Sequence, residues 1–322
     1  LWAFIERLFL NTTVNQNTFA LNQKYIINIV GPTAIGKTTL SIAIAQHFKT
    51  EILSADSRQF YKEMQIGTAA PTKDELKAVP HHFIHHKSVL DDYNVGAFEK
   101  EALYTLGKLF ESHDVVVMVG GSGLYIDAII RGLDDFPAVD PSIRSTLNET
   151  FEKYGLEPLQ IKLKALDLQA FETMAIDNPH RVIRALEVCI GSGKAYSSFL
   201  KKSKIKRDFK TITIGLTAER AIIYERINTR VDKMMEEGLL EEVKSLQHLQ
   251  HLNALNTVGY SELFKFLNGE WPLDFAVSEI KKNSRRYAKR QMTWFRKKED
   301  ITWFDYQAPV QKMLESIDNA MS

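Results

Sequence analysis

Apolar and polar positions fall into blocks along this chain. Tyr25-Ile-Ile-Asn-Ile-Val30 is a short, β-branched run ending at a glycine, and residues 38–48 then space Leu40, Ile44 and Phe48 at helical intervals. Glu51-Ile-Leu-Ser54, residues 114–119 and Thr211-Ile-Thr-Ile-Gly-Leu216 repeat the strand pattern with helical segments between them, and a last short strand is expected over residues 301–304. Strands alternating with helices predict an α/β fold built on a doubly wound parallel sheet.

The alternation lapses between about residues 134 and 208, where Pro137, Pro141 and Pro158 separate mainly helical patterns. Asn178-Pro179 reads as a helix start with Pro at the first helical position, leading through residues 181–190 to a stop at Gly191. Residues 135–208 are therefore expected to form a helical insertion domain within a core of residues 24–134 and 209–322. Beyond Leu216 the pattern is helical over residues 218–237, 239–251, 261–267 and 275–297. Residues 1–23 form an extension whose apolar patch (Trp2, Phe4, Ile5, Leu8, Phe9, Leu10) lacks a basic leader and a small-residue cleavage site. It reads as an upstream extension or translation-start artefact, with a short docking helix as the alternative.

Composition narrows the class. A chain of 322 residues, 44% hydrophobic and 25% charged, is an ordinary globular protein. Its apolar runs are far shorter than the ~20 residues that cross a bilayer, so no membrane span is expected. The single cysteine, Cys189, excludes a disulfide framework and a multi-thiolate zinc site, points to the cytoplasm, and itself reads as inert core. Net charge is only +1, so no global field advertises a nucleic acid. The distribution is uneven: Lys281, Arg285 and Lys289 fall at i, i+4 and i+8, as do Lys282, Arg286 and Arg290, giving two adjacent basic stripes suited to a phosphate-facing surface. A second basic run holds Lys194, Lys201, Lys202, Lys204, Lys206, Arg207 and Lys210 with only Asp208 among them.

The strongest motif is Gly31-Pro32-Thr33-Ala34-Ile35-Gly36-Lys37-Thr38, which fits G-x-x-x-x-G-K-[ST] between an expected strand and an expected helix. Its glycines let the backbone curl so that N–H groups converge on phosphate oxygens, and the helix N-terminus adds its dipole. Lys37 neutralises the terminal phosphate, and the Thr38 hydroxyl is placed to ligate Mg²⁺. The fold is thus expected to be P-loop NTPase-like. A kinase, a GTPase and a transferase with a diphosphate leaving group all read the same at this motif.

Further segments follow in order: Asp56-Ser-Arg-Gln-Phe-Tyr61, Met64-Gln-Ile-Gly-Thr-Ala69, Pro80-His-His-Phe-Ile84, Gly120-Gly-Ser-Gly-Leu-Tyr125, Asn178-Pro-His-Arg-Val-Ile-Arg-Ala-Leu-Glu187, Val258-Gly-Tyr260 and Ala288-Lys-Arg-Gln-Met-Thr-Trp-Phe-Arg296. With the loop, this series resembles the tRNA dimethylallyltransferases. The resemblance implies transfer of a dimethylallyl group from dimethylallyl diphosphate to the N6 amine of adenosine 37, beside the tRNA anticodon, by a monomer that uses Mg²⁺. That amine is a poor nucleophile, so attack on an allylic carbon needs a nearby proton acceptor. The resemblance gives this role to Asp56, whose plainer alternatives are a helix cap or an outer Mg²⁺ ligand. It gives diphosphate stabilisation to Arg230, which Arg226, one turn away, could share. Ser122 stands where the family commonly has threonine and keeps the hydroxyl expected to contact the leaving group or the amine.

The resemblance also implies contacts with the tRNA anticodon stem-loop at Asp56, Ser57, Arg58, Gln59, Ser122, Arg144, His180, Arg181, Val182, Ile183, Arg184, Gly259 and Tyr260. His85 and Ala70 depart from the family's usual aspartate and lysine. His81, His82, His85 and His86 lack carboxylates or cysteines at ligand spacing and are not read as a metal site. Trp294 and Trp303 are read as packing residues. Rival readings are an adenylate isopentenyltransferase, a small-molecule P-loop kinase and a P-loop RNA-binding module without catalysis.

Overall fold

A computed structural model describes residues 23–200 and 205–322. The expectations for residues 1–22 and for Lys201, Lys202 and Lys204 lie outside the described residues. The chain forms two compact units, one of residues up to Ile130 together with Arg207–Ser322, the other Arg131–Lys206.

In the first unit, β1 (Lys24–Val30), α1 (Lys37–Phe48), β2 (Ile52–Ser54), α2 (Lys73–Ala78), β3 (His81–His82), α3 (Val95–Ser112), β4 (Val115–Val119) and α4 (Gly123–Arg131) follow one another. The second unit holds α5 (Pro141–Tyr154), α6 (Glu157–Leu166), α7 (Leu168–Thr173) and α8 (Pro179–Ser192). The chain returns through β5 (Phe209–Thr217), α9 (Arg220–Glu236), α10 (Leu239–Ser245), α11 (Tyr260–Leu267), α12 (Leu273–Phe295), β6 (Ile301–Asp305) and α13 (Val310–Met321).

The sheet order is β3-β2-β4-β1-β5-β6, and every pairing in it is parallel. β1 explains why. Ile26 and Val30 pack into one core with Leu53, Val116 and Phe98, while Ile27 and Ile29 pack into another with Ile44, Val117 and Ile214. A strand buried on both faces needs apolar residues at nearly every position and helices over both sides, which parallel crossovers supply. The expected doubly wound sheet is thus present. It also contains β3, whose two residues carry no periodic signal.

The second unit has its own core, formed by Leu147, Leu159, Leu163, Val182, Ile183 and Leu186. α8 starts as expected, with Asn178 Oδ1 accepting the His180 and Arg181 N–H groups at 3.0 and 3.4 Å. Its expected stop at Gly191 is corrected: the helix runs on to Ser192 and is closed by Gly193 at φ 69°. Gly191 instead admits Val139, whose Cγ1 would lie 2.4 Å from a Cβ there. The pattern over residues 239–251 likewise breaks after Ser245 into 3-10 turns at Gln247–Leu249 and Asn253–Leu255.

Candidate active site

β1 delivers the chain into residues 31–36 at the carboxyl edge of the sheet, and α1 starts at Lys37 with Gly36 as its N-cap. The loop is tied from three directions. Lys37 Nζ donates to the Pro32 carbonyl at 2.9 Å, Arg226 Nε on α9 donates to the Ala34 carbonyl at 2.8 Å, and the Thr33 N–H donates to Gln291 Oε1 on α12 at 2.9 Å. One turn beyond Arg226, Arg230 donates to Thr33 Oγ1 at 3.4 Å. Thr33, Ala34, Lys37, Arg226 and Arg230 border a cavity of about 360 Å³ that also meets Thr38, Asp56 and Gln59. A glycine loop at a helix N-terminus, with one lysine and two arginines around it, is an anion site. Burial, and then the Arg230 charge, lower the Lys37 ammonium to about 8, against the raising effect of Asp56. A bound anion acts in the opposite direction and holds Lys37 protonated.

A second cavity, of about 450 Å³, is bordered by Ser57, Arg58, Thr257, Gly259, Tyr287 and Arg290. It shares Thr33, Asp56, Thr68, Ala69, Arg230 and Met234 with the first, so Asp56 and Arg230 stand at their junction. Asp56 follows β2, and its Oδ1 accepts the Arg58 N–H at 3.1 Å. Burial raises its carboxyl pKa, outweighing that hydrogen bond and the nearby Lys37 and Arg58 charges. The result is a carboxylate more basic than an exposed aspartate, beside two cations.

The turn after β4 braces this arrangement. Gly120 lets it approach the Asp56 segment, since a Cβ there would lie 2.4 Å from the Ala55 carbonyl oxygen. Ser122 Oγ accepts the Ser57 N–H and donates to Ser57 Oγ, both at 3.1 Å. Burial, with the Asp56 charge behind it, pushes the Tyr287 phenol up to about 12.

The chain matches the IPP transferase family over residues 59–298. The chain belongs to this family. A tRNA dimethylallyltransferase of Christiangramia forsetii is 58% identical over 298 residues, covering 92% of this chain and 99% of the relative. Among solved structures, the tRNA isopentenylpyrophosphate transferase of Bacillus halodurans is 37% identical with a TM-score of 0.67, covering 93% of this chain and 95% of its own. A eukaryotic dimethylallyltransferase acting on tRNA has a TM-score of 0.75 at 25% identity, covering 92% of this chain and 78% of its own.

Within this family member, the structure brings together loop residues 33–38, Asp56, Ser57, Arg58, Gln59, Arg230 and Gly259 around the two cavities, while Gly31 and Pro32 border neither. Several of the expected contact residues are engaged within the protein itself. Tyr260 is fully buried, with its hydroxyl donating to Glu242 Oε1 at 2.5 Å, so its side chain supports the fold. Val182 and Ile183 are buried in the core of the second unit, leaving His180, Arg181, Arg184 and Arg144 as the exposed or half-exposed polar residues there. Arg144 and Arg184 both bind Glu187 Oε2, at 2.8 and 3.0 Å. Ser122 borders neither cavity and holds Ser57 in place. Gln59 Nε2 donates to the Thr68 and Ala69 carbonyls, and Arg58 grips the carbonyls of Asn253, Ala254 and Asn256.

The basic stripes on α12 are corrected in part. Lys281 pairs with Asp232 at 2.5 Å and Arg285 donates to Asn228 at 2.6 Å, both on α9, so this stripe is a helix–helix contact over that stretch. Lys289 and Arg290 remain exposed, and Arg290 borders the larger cavity. His82 pairs with Glu51, and His86 packs among Phe60, Phe83 and Tyr93. Trp303 packs on Gly215 as expected, whereas Trp294, which abuts Gly123 and donates to Asp127 Oδ2 at 3.1 Å, is exposed. Cys189 is buried, which raises its thiol pKa.

Three residues escaped the sequence reading: Gln291, Tyr287 and Glu242. The first two lie in or beside a segment that carries the resemblance, yet nothing local marks them as neighbours of the loop. Glu242 accepts the N–H groups of Gln65, Ile66 and Gly67 at 3.0, 2.8 and 3.0 Å and so shapes the loop bearing Thr68 and Ala69. For a metal, the Thr38 hydroxyl and the Asp56 carboxylate border the loop cavity, while among the described residues no group of three His, Cys, Asp or Glu could hold an ion. One or two hard oxygens beside a phosphate site fit Mg²⁺, which keeps most of its waters and takes further ligands from phosphate. Among the described residues no helix is long and apolar enough to cross a membrane.

Proposed function

We propose that this chain transfers the dimethylallyl group of dimethylallyl diphosphate to the N6 amine of adenosine 37 in tRNA. The observation that carries the reading is the meeting of two cavities at one carboxylate and one arginine. In this assignment the diphosphate lies in the cavity of the loop, and the flipped adenine enters the larger one. The N6 lone pair forms a bond to C1 of the allyl group as the C1–O bond breaks, and its electron pair leaves with diphosphate. Asp56 accepts the N6 proton. The loop amides, Lys37 and Arg230 stabilise the charge that grows on the leaving oxygen. Thr38 would hold Mg²⁺, which when bound supplies further charge neutralisation at the diphosphate. Ser122 keeps Ser57, and with it the Asp56 turn, in place.

The same reading has the exposed His180, Arg181 and Arg144 and the half-buried Arg184 meet the phosphates and splayed bases of the anticodon stem-loop. It describes a cytoplasmic enzyme acting as a monomer. Adenylate or ATP as acceptor, and phosphoryl transfer by a kinase, are the competing activities. The decisive assay supplies radiolabelled dimethylallyl diphosphate and Mg²⁺ with unmodified tRNA, AMP or ATP as acceptors. Label in tRNA alone supports the proposal; label in AMP or ATP alone overturns it, as does absence of label from all three.

A further inference from the structure

Gln291 is 5% exposed on α12, and both ends of its side-chain amide are engaged. Oε1 accepts the Thr33 N–H at 2.9 Å, and Nε2 donates to the Gly121 carbonyl at 3.0 Å. The two partners belong to different walls of the site. Thr33 sits in the phosphate loop, meets Arg230 through its hydroxyl and borders both cavities. Gly121 opens the turn that sets Ser122 against Ser57, next to Asp56. The residue at 121 is matched to the amide, because a Cβ there would lie 2.2 Å from Gln291 Nε2. Buried Ala288, Met292 and Phe295 anchor the same helix, so the amide is presented from a fixed support.

A buried amide that bridges two loops, and leaves both of their backbone groups satisfied, fixes the distance between them. We infer that Gln291 is a positioning residue that holds the diphosphate-binding loop in register with the turn carrying the proton-accepting Asp56. The inference rests on the prenyl-transfer reading above and adds a residue to it. Prenyl transfer needs C1 of the donor and the acceptor amine held within attack distance, and a misplacement of about 1 Å costs on the order of 10²-fold in rate. Gln291 acts on that distance without touching either substrate.

The test compares wild type with Gln291→Met, Gly121→Ala and the double variant Gly121→Ala/Gln291→Ala. Three measurements are made on each folded protein: calorimetric binding of inorganic pyrophosphate with Mg²⁺, single-turnover transfer to saturating tRNA, and KM for tRNA from steady-state transfer. The expected result for Gln291→Met is a loss of about 30-fold or more in the saturated transfer rate, on the scale of a small misplacement. Pyrophosphate binding weakens severalfold, and KM for tRNA stays within about twofold. Gly121→Ala shows the same signature, because its methyl displaces the amide. The double variant is no worse than the poorer single variant, since both changes act through one bridge and removal of the amide makes room for the methyl. A Gln291→Met rate within about threefold of wild type, or losses that multiply in the double variant, overturns the inference. A change in tRNA KM equal to that in the donor step does the same. Should Gln291→Met fail to fold, Gly121→Ala and the double variant decide. If wild type transfers no label, the prenyl-transfer reading fails; pyrophosphate binding unchanged in all variants then removes Gln291's role at the loop as well.

Discussion

Asp56→Asn separates chemistry from architecture at this site. Asparagine matches aspartate in shape, and its Oδ1 can still accept the Arg58 N–H that aspartate accepts at 3.1 Å, so the change removes charge and basicity. A positioned general base contributes about 10²–10⁴-fold, or about 2.7–5.4 kcal/mol at 1.36 kcal/mol per decade. The saturated single-turnover rate should fall by that range, with KM for tRNA and for dimethylallyl diphosphate little changed. Stability should move the other way. Burial holds the Asp56 pKa above its unfolded value, so the folded state favours the protonated acid. This contribution is fully present below the unfolded pKa and is lost as pH rises through the folded one. At neutral pH the variant, which has no charge to desolvate, should be more stable by about 0.5–2 kcal/mol, the usual scale for relieving a functional site. The gap should close as pH is lowered through the carboxylate range. Quenched-flow transfer and thermal melts across pH 4–8 check both halves. A rate within tenfold of wild type means the N6 proton leaves by another route, and a lower melting temperature at neutral pH refutes the desolvation reasoning.

Lys37 sets the alkaline side: kcat/KM for dimethylallyl diphosphate should fall as pH rises through about 8, where the free enzyme loses this charge, while kcat lacks that limb because bound diphosphate keeps the proton on. A pH profile from 6 to 10 reads both. Arg230→Gln should lower kcat by about 10²–10³, as loss of a transition-state donor does, whereas Arg226→Gln, which removes a bond to the Ala34 carbonyl outside the junction, should cost less than about tenfold. Steady-state kinetics that rank the two in reverse order would shift the diphosphate role to Arg226. Glu242→Gln weakens the acceptor of three consecutive N–H groups and the Tyr260 hydroxyl, and should destabilise by about 1–3 kcal/mol in chemical denaturation.

What was legible in the sequence is what a single stretch of chain determines. β1 and β4 announce themselves because strands covered on both faces must be apolar throughout, and the phosphate loop does so because its ligands are consecutive backbone amides. β3 is not legible because the two residues His81–His82 cannot show a period. Charge is ambiguous for a physical reason: a cation on a helix is equally at home facing water, phosphate or a carboxylate on a neighbouring helix. The spacing of Lys281 and Arg285 suits an RNA surface, but Asp232 and Asn228 lie opposite them.

Gln291 shows the limit most clearly. The segment around it was recognisable, yet a neutral amide carries no signal of its own. Its role is defined by two partners, one of them 258 positions away. Parallel crossovers put the carboxyl ends of non-consecutive strands side by side, so a loop from β1, a turn from β4 and a late helix converge where ligands bind. Residues that contact a ligand can be recognised by their own chemistry, whereas residues that fix the distance between those contacts are visible only once both ends of each hydrogen bond are located. For this site the second kind decides whether a base at Asp56 and a leaving group on the loop address the same pair of reacting atoms.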